Sequence, residues 1–221
     1  MLSLCKSSKI VTKKILEVNF KTIKKPANAG FFMRNVMASI SLTPESIIEF
    51  WYSDKIKSKW FNSSIEFDKE IKSNYEELWL DTLRGENASW SESALGCLAL
   101  VIILDQFPLN MFRGDVKSFS SEGMAIKIAK KAIELGFDKK LDKNRVSFIY
   151  MPLMHSENLE DQNISVKLFE QAGLIENLRF AKHHRDIIKL YGRFPHRNKI
   201  LQRESSKDEV NYLNSDNAFS G

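Results

Sequence analysis

Residues 89–108, SWSESALGCLALVIILDQFP, decide the fold. Ser89 and Glu92 have the spacing of a capping box, a hydroxyl and a carboxylate that satisfy backbone donors at a helix start. Beyond them, Ala94, Leu95, Leu98, Val101, Ile102 and Leu104 leave no polar face. A helix that is apolar all round is a central, buried one. The apolar run 95–104 is shorter than the roughly 20 residues a bilayer requires, so no membrane span is expected. It ends at Asp105-Gln106-Phe107-Pro108, where proline should stop the helix. A central helix needs others to surround it.

The flanking sequence provides them. Thr43-Pro44-Glu45 is a helix start, with a hydroxyl cap, proline at the first position and an acid in the first turn. Ile47, Ile48 and Trp51 form its apolar face, and Trp60-Phe61 lies in the loop after it. A second helix runs from about 67 to 84, with Ile71, Tyr75, Leu78, Trp79 and Thr82 on one face and Gly85 as its stop. Downstream, residues 120–135 carry a narrow stripe of Ala125, Ile128, Ala129, Ala132 and Ile133 that admits a close neighbour. Residues 142–154 read as a helix or turn-rich segment broken by Pro152. A polar loop is expected from His155 through Gln162, then a helix over 163–172. A further helix over 176–191 has Phe180, His184, Ile187, Ile188 and Tyr191 on one face. Ser206 and Glu209 cap a last short helix. No stretch alternates for long enough to be a strand. Short links between successive helices imply antiparallel neighbours, so the fold expected is all-α, built of helical hairpins, in one domain over 42–221.

Residues 191–198, YGRFPHRN, are the conformational and chemical focus of the second half. Gly192 is a natural helix stop, and Pro195 turns the chain. Arg193, His196, Arg197 and Asn198 surround that turn. Guanidinium forks suit carboxylates and phosphates, so the set points to a small anion or acidic peptide. The plainer reading is that these groups tie loops together by pairing with the chain's own carboxylates.

Charge is unevenly spread. Residues 1–41 hold eight basic groups and one acid, a net +7, so the overall +5 leaves the body at −2. A mildly acidic body argues against nucleic acid as a partner. The basic extension reads as a targeting peptide, a disordered tail, or a misassigned start preceding Met33 or Met37. Cys5 and Cys97 are far apart, and Cys97 is expected as a small buried hydrophobe in a reducing compartment. The localisation expected is cytoplasmic, or an organelle if the extension is a transit peptide. The sequence leaves the oligomeric state open.

Three ordered motifs carry a resemblance. They are 104–108 with Phe112-Arg113-Gly114; 151–157 (MPLMHSE) with Asp161-Gln162; and His184-Arg185-Asp186-Ile187-Ile188 leading to 192–198 (GRFPHRN). With Phe50-Trp51 and Trp60-Phe61, they resemble the bacterial "domain of unknown function 924" family over about 43–213. The resemblance implies an all-α, tetratricopeptide-like fold and no established activity. Leu109 departs from the arginine that usually follows Phe-Pro in the family.

The motifs pool polar groups at helix ends. Asp105, Gln106, Arg113, Gln162, Arg193, His196, Arg197 and Asn198 are the candidate ligand-binding residues. His155, Glu157 and His184 are the candidates for proton transfer. His184, on an apolar face, also fits a core histidine bonded to a backbone carbonyl or to Asp105, and His183 reads as surface. The histidine and acid spacings match no established ligand set, so no metal is expected. With no phosphate loop or dinucleotide fingerprint, no cofactor is expected either. Two functions remain. One is a binding protein with an Arg/His-lined pocket. The other is a metal-independent hydrolase or isomerase acting on an anionic metabolite, with the arginines holding the substrate.

Overall fold

A computed structural model describes residues 42–60, 62–216, 218 and 219. Among them every regular element is a helix and none is a strand. The expectations for residues 1–41 and for Phe61 lie outside the described residues.

Pro44–Trp51 (α1) starts as its sequence dictates: Thr43 and Ser46 exchange side-chain-to-backbone hydrogen bonds in a capping box. Asp54–Lys57 (α2) is a single turn. Ile65–Leu83 (α3) buries Phe67, Ile71, Tyr75, Leu78, Trp79 and Thr82 along one side, the face expected from helical spacing.

The central segment departs from expectation at both ends. Ser93 caps Ala94–Val101 (α4), its hydroxyl accepting the Gly96 N–H, while Ala88–Glu92 form a 3-10 turn. The Ser89–Glu92 box is therefore corrected. That turn folds back onto α4 so tightly that a Cβ on Gly96 would lie 1.9 Å from the Trp90 carbonyl oxygen. At the other end Pro108 does not stop the helix. Ile102–Gln106 form a π-helical turn in which the Phe107 N–H bonds Ile102 O, and Phe107–Met111 (α5) carries on through the proline. Proline removes one donor, and the carbonyl four residues earlier, that of Leu104, takes a hydrogen bond from Ser121 Oγ at 2.6 Å instead. Ser121 Oγ in turn accepts the Trp79 indole N–H at 3.0 Å. The helix 94–111 is long and apolar enough by composition to cross a bilayer, yet 83% of it is buried inside the protein.

Glu122–Glu134 (α6) follows a 3-10 turn at Val116–Phe119, so the helix starts later than its expected 120. Ala125, Ala129 and Ala132 are fully buried, which permits contact with α4. Lys143–His155 (α7) runs through Pro152 without breaking, and three helical residues follow the ring. Leu159–Gln171 (α8) begins earlier than expected, because Asn158 accepts the N–H groups of Glu160 and Asp161. Asp161 and Gln162 are thus helical, not looped. Ile175–Tyr191 (α9) ends at Gly192, whose φ of 71° is the left-handed cap that glycine favours. Phe180, expected on its apolar face, is exposed. Lys207–Leu213 (α10) opens with the expected Ser206–Glu209 capping box.

Helix α4 packs against α1, α6 and α7, and α7–α8 and α8–α9 pair across the short links 156–158 and 172–174. The main core gathers Trp51, Phe107 and Phe148 edge to face. Cys97 lies fully buried within it as a free thiol. A second, small cluster of Ile187, Ile188 and Phe194, with Tyr191, Tyr212 and Phe219, sits at the end of α9.

Candidate functional site

The π-turn aims Asp105 at His155, the last residue of α7. Imidazole Nδ1 lies 2.9 and 3.1 Å from the two Asp105 oxygens. Gln106 Nε2 donates to Asp105 Oδ2. The Asp105 side chain is 3% exposed and that of His155 18%. With Nδ1 facing a carboxylate, the neutral imidazole presents its lone pair at Nε2, which has no partner among the described residues. Burial alone would lower the basicity of His155, but the Asp105 charge and hydrogen bond outweigh it and hold the imidazole above its ordinary value.

The backbone around His155 is held by side chains. A helix leaves its last carbonyls without partners. Here Gln162 Nε2 donates to Met154 O at 2.6 Å and Ser156 O at 2.7 Å. Arg197 Nη2 donates to His155 O at 2.9 Å. Three successive carbonyls are thereby satisfied, and His155 is fixed in place. Arg197 Nη1 donates to Glu122 at 2.9 Å, so one guanidinium joins α6 to the end of α7. Burial pushes the Glu122 carboxyl up, and Arg197 and His155 only partly offset it. Ser156 Oγ donates to Asp161, which also pairs with Lys130.

Glu157 accepts the Phe194 N–H at 2.8 Å and a bidentate fork from Arg203 at 2.6 and 2.9 Å. Arg203 and the Phe194 N–H outweigh burial and hold its carboxyl below the usual range. Arg203 Nε also donates to Asn198 Oδ1, and Asn198 Nδ2 to Ser205. Arg193 forks onto Glu209 at 2.7 and 2.8 Å and reaches Glu204 O. Arg113 forks onto Asp68 and touches Asn110, partners outside this cluster.

His184 donates from Nδ1 to Phe180 O at 2.8 Å and is almost fully buried. Burial, helped by the nearby His155, pushes its pKa down to about 3. It is the core histidine of the plainer reading, bonded to a backbone carbonyl rather than to Asp105. His196 packs on Phe194, and burial with Arg197 beside it lowers its pKa to about 4. Its Nδ1, like Arg197 Nε, is buried without a partner among the described residues.

The structure therefore brings Asp105, Gln106, His155, Gln162 and Arg197 together and ties Glu157 and Asn198 into the neighbouring loop. Arg113 and Arg193 stand on other carboxylates. Sequence reasoning missed Glu122 and Arg203. No motif contained Glu122, and Arg203 follows the last one at an uninformative spacing. Leu109 lies half-buried on α5. A groove of about 670 Å³ lies elsewhere, between α9 and α10, and none of the candidate residues lines it.

The model of a family described as bacterial protein of unknown function (DUF924) matches residues 47–217. A solved protein of unknown function from Agrobacterium tumefaciens, ATU0120, is similar at 34% identity with a TM-score of 0.74, covering 77% of this chain and 96% of its own. No curated protein matches.

Proposed function

This chain belongs to the DUF924 family of bacterial proteins of unknown function, and within it we propose an acid–base site centred on His155. The carrying observation is the Asp105–His155 pair, made by a π-turn in the most buried helix and fixed from three sides by Gln106, Gln162 and Arg197. Single π-turns inside α-helices concentrate at functional sites. His155 Nε2 accepts a proton from a substrate hydroxyl, an activated C–H or water. Asp105 stabilises the imidazolium, which then returns the proton to the leaving group or the rearranged product. The reaction class is hydrolase or isomerase. The successive pairing of α7, α8 and α9 supports a tetratricopeptide-like frame for it, and the buried free thiol of Cys97 supports a reducing, cytoplasmic setting.

A second reading, capture of a small anion, is favoured by the buried, unpartnered His196 Nδ1 and Arg197 Nε. It is the weaker of the two, because Arg193, Arg197 and Arg203 all pair with the chain's own carboxylates.

The test combines NMR titration of His155 with turnover of p-nitrophenyl acetate. The imidazole should titrate above 6.5 and fall in Asp105→Asn. Turnover should follow its titration, vanish in His155→Gln and survive in His183→Gln. An ordinary His155 pKa together with turnover indifferent to His155→Gln would sink the acid–base reading. A thermal shift with inorganic phosphate that is lost in Arg197→Lys would favour the second.

A further inference from the structure

Phe219 lies at the meeting point of three of the chain's four histidines. Its ring centroid is 4.4 Å from that of His184, 5.1 Å from His196 and 6.3 Å from His183, each near edge to face. Phe194, fully buried, floors the same space at 5.4 Å from His184 and 5.5 Å from His196. The Phe219 N–H donates to the Tyr212 hydroxyl at 2.9 Å, and Tyr212 packs on Tyr191. His183, expected at the surface, is half-buried here. The result is a slot walled by imidazoles and a tyrosine, shaped for one aromatic ring and supplying one hydrogen bond to the backbone that carries it.

The residue that carries the ring is half-buried, close to the end of the described chain. Phe219 belongs to the small cluster at the end of α9, apart from the main core. The groove between α9 and α10 adjoins the slot, sharing His183 and Tyr212 with it. An aromatic side chain on an extended peptide thus has a ring socket, a backbone acceptor and a neighbouring groove for the residues beside it.

We propose that this slot is a binding site for a peptide anchored by a phenylalanine-type ring, and that Phe219 is its removable resident, occupying the slot until such a peptide displaces it. The aromatic walls supply edge-to-face contacts that an aliphatic side chain does not make. The tyrosine hydroxyl reads the peptide backbone, so the ring alone is the specific feature. This site is independent of the His155 reading.

The experiment uses the full-length chain with Phe219→Ala, checked for native far-UV circular dichroism, and follows the imidazole Cε1–H resonances. In the unmodified chain His184 and His196 should titrate near 3 and 4. The charged neighbours of His196, namely Arg197, Glu157 and Arg203, are unchanged by the substitution. Removing the ring should move both midpoints towards the ordinary 6.5, with Phe219→Leu intermediate. Adding the free peptide NSDNAFSG, residues 214–221, should restore the original resonances with a Kd of about 1 mM or tighter. The peptide NSDNAASG should not. The proposal fails if the two histidines are unmoved in Phe219→Ala, or if the two peptides act alike. Should Phe219→Ala unfold the chain, displacement of the resident leucine by NSDNAFSG is read on Phe219→Leu, where absence of any peptide-induced shift overturns it.

Discussion

Ser121→Ala tests how the chain accommodates a proline inside its central helix. Ser121 is fully buried. Its hydroxyl accepts the Trp79 indole N–H at 3.0 Å and donates to Leu104 O at 2.6 Å, the carbonyl whose usual helical donor position is occupied by Pro108. Alanine fits the same volume, so no cavity cost arises. Two buried polar groups lose their partners together, one donor and one acceptor. A group left unsatisfied costs about 1–3 kcal/mol, and some relaxation is open to each, so the loss should be about 2–4 kcal/mol. Against a total stability of about 5–15 kcal/mol, this is readily measured by urea unfolding followed by circular dichroism. Trp79→Phe removes the indole donor beforehand, so Ser121→Ala should cost about 1 kcal/mol less in that background than alone. A single-variant loss under about 0.5 kcal/mol would refute the claim that Ser121 substitutes for the missing helical donor, and strict additivity of the pair would refute its bond with Trp79.

Further outcomes follow from other sites. Gly96→Ala should abolish or severely lower soluble, cooperatively folding protein, because its Cβ would lie 1.9 Å from Trp90 O, whereas Gly123→Ala, with open space around it in α6, should raise stability by up to about 1 kcal/mol. Thermal melts of the two variants side by side check this. The Arg193 fork holds the Glu209 carboxyl at about 2 against an ordinary 4.5. As pH falls from 4.5 to 2, the unfolded chain takes up a proton that the folded chain refuses, so stability drops across that window and Glu209→Gln should flatten the drop. His184 acts in the same direction between 6.5 and about 3, because its buried neutral form resists the proton that the unfolded chain accepts. His184→Gln should therefore weaken the dependence of the urea midpoint on pH in that interval. Arg203→Ala leaves Glu157 half-buried with only the Phe194 N–H, and should loosen the 194–203 loop, read as increased amide exchange there while α4 remains protected.

Much of the helical plan was legible from local rules. Thr43, Ser206 and Gly192 act at helix ends as their chemistry requires, and the faces of α1 and α3 follow from periodicity. The misreadings have two sources: a capping side chain other than the one expected, Ser93 and Asn158, and tertiary partners that overrule local signals. Pro108 is absorbed because a π-turn shifts the register and Ser121, 17 residues from Leu104, donates in its place. Ser93 takes the place of Ser89 as the cap, and the turn before it lies directly over Gly96. In the site, residue types pointed to the right neighbourhood, since Asp105, His155, Gln162 and Arg197 do converge. Their pairing was not legible, because Glu122 is 75 residues from Arg197 and Arg203 is 46 from Glu157. Such separations leave no trace in spacing.

The division between a large core and the small cluster of Ile187, Ile188 and Phe194 has a consequence in time. Cooperative subunits of a fold open separately, each at a free energy set by what it buries. The cluster at the end of α9 buries three apolar side chains against more than thirty in the main core. The segment 192–216 should therefore unzip and reclose many times during the life of a native molecule while α4 stays shut. Each such event exposes Arg193, Arg203 and the Phe194–His196 turn to solvent and to proteases without unfolding the rest, so a nick near 199–205 would mark the first opening of the molecule, well below its global transition.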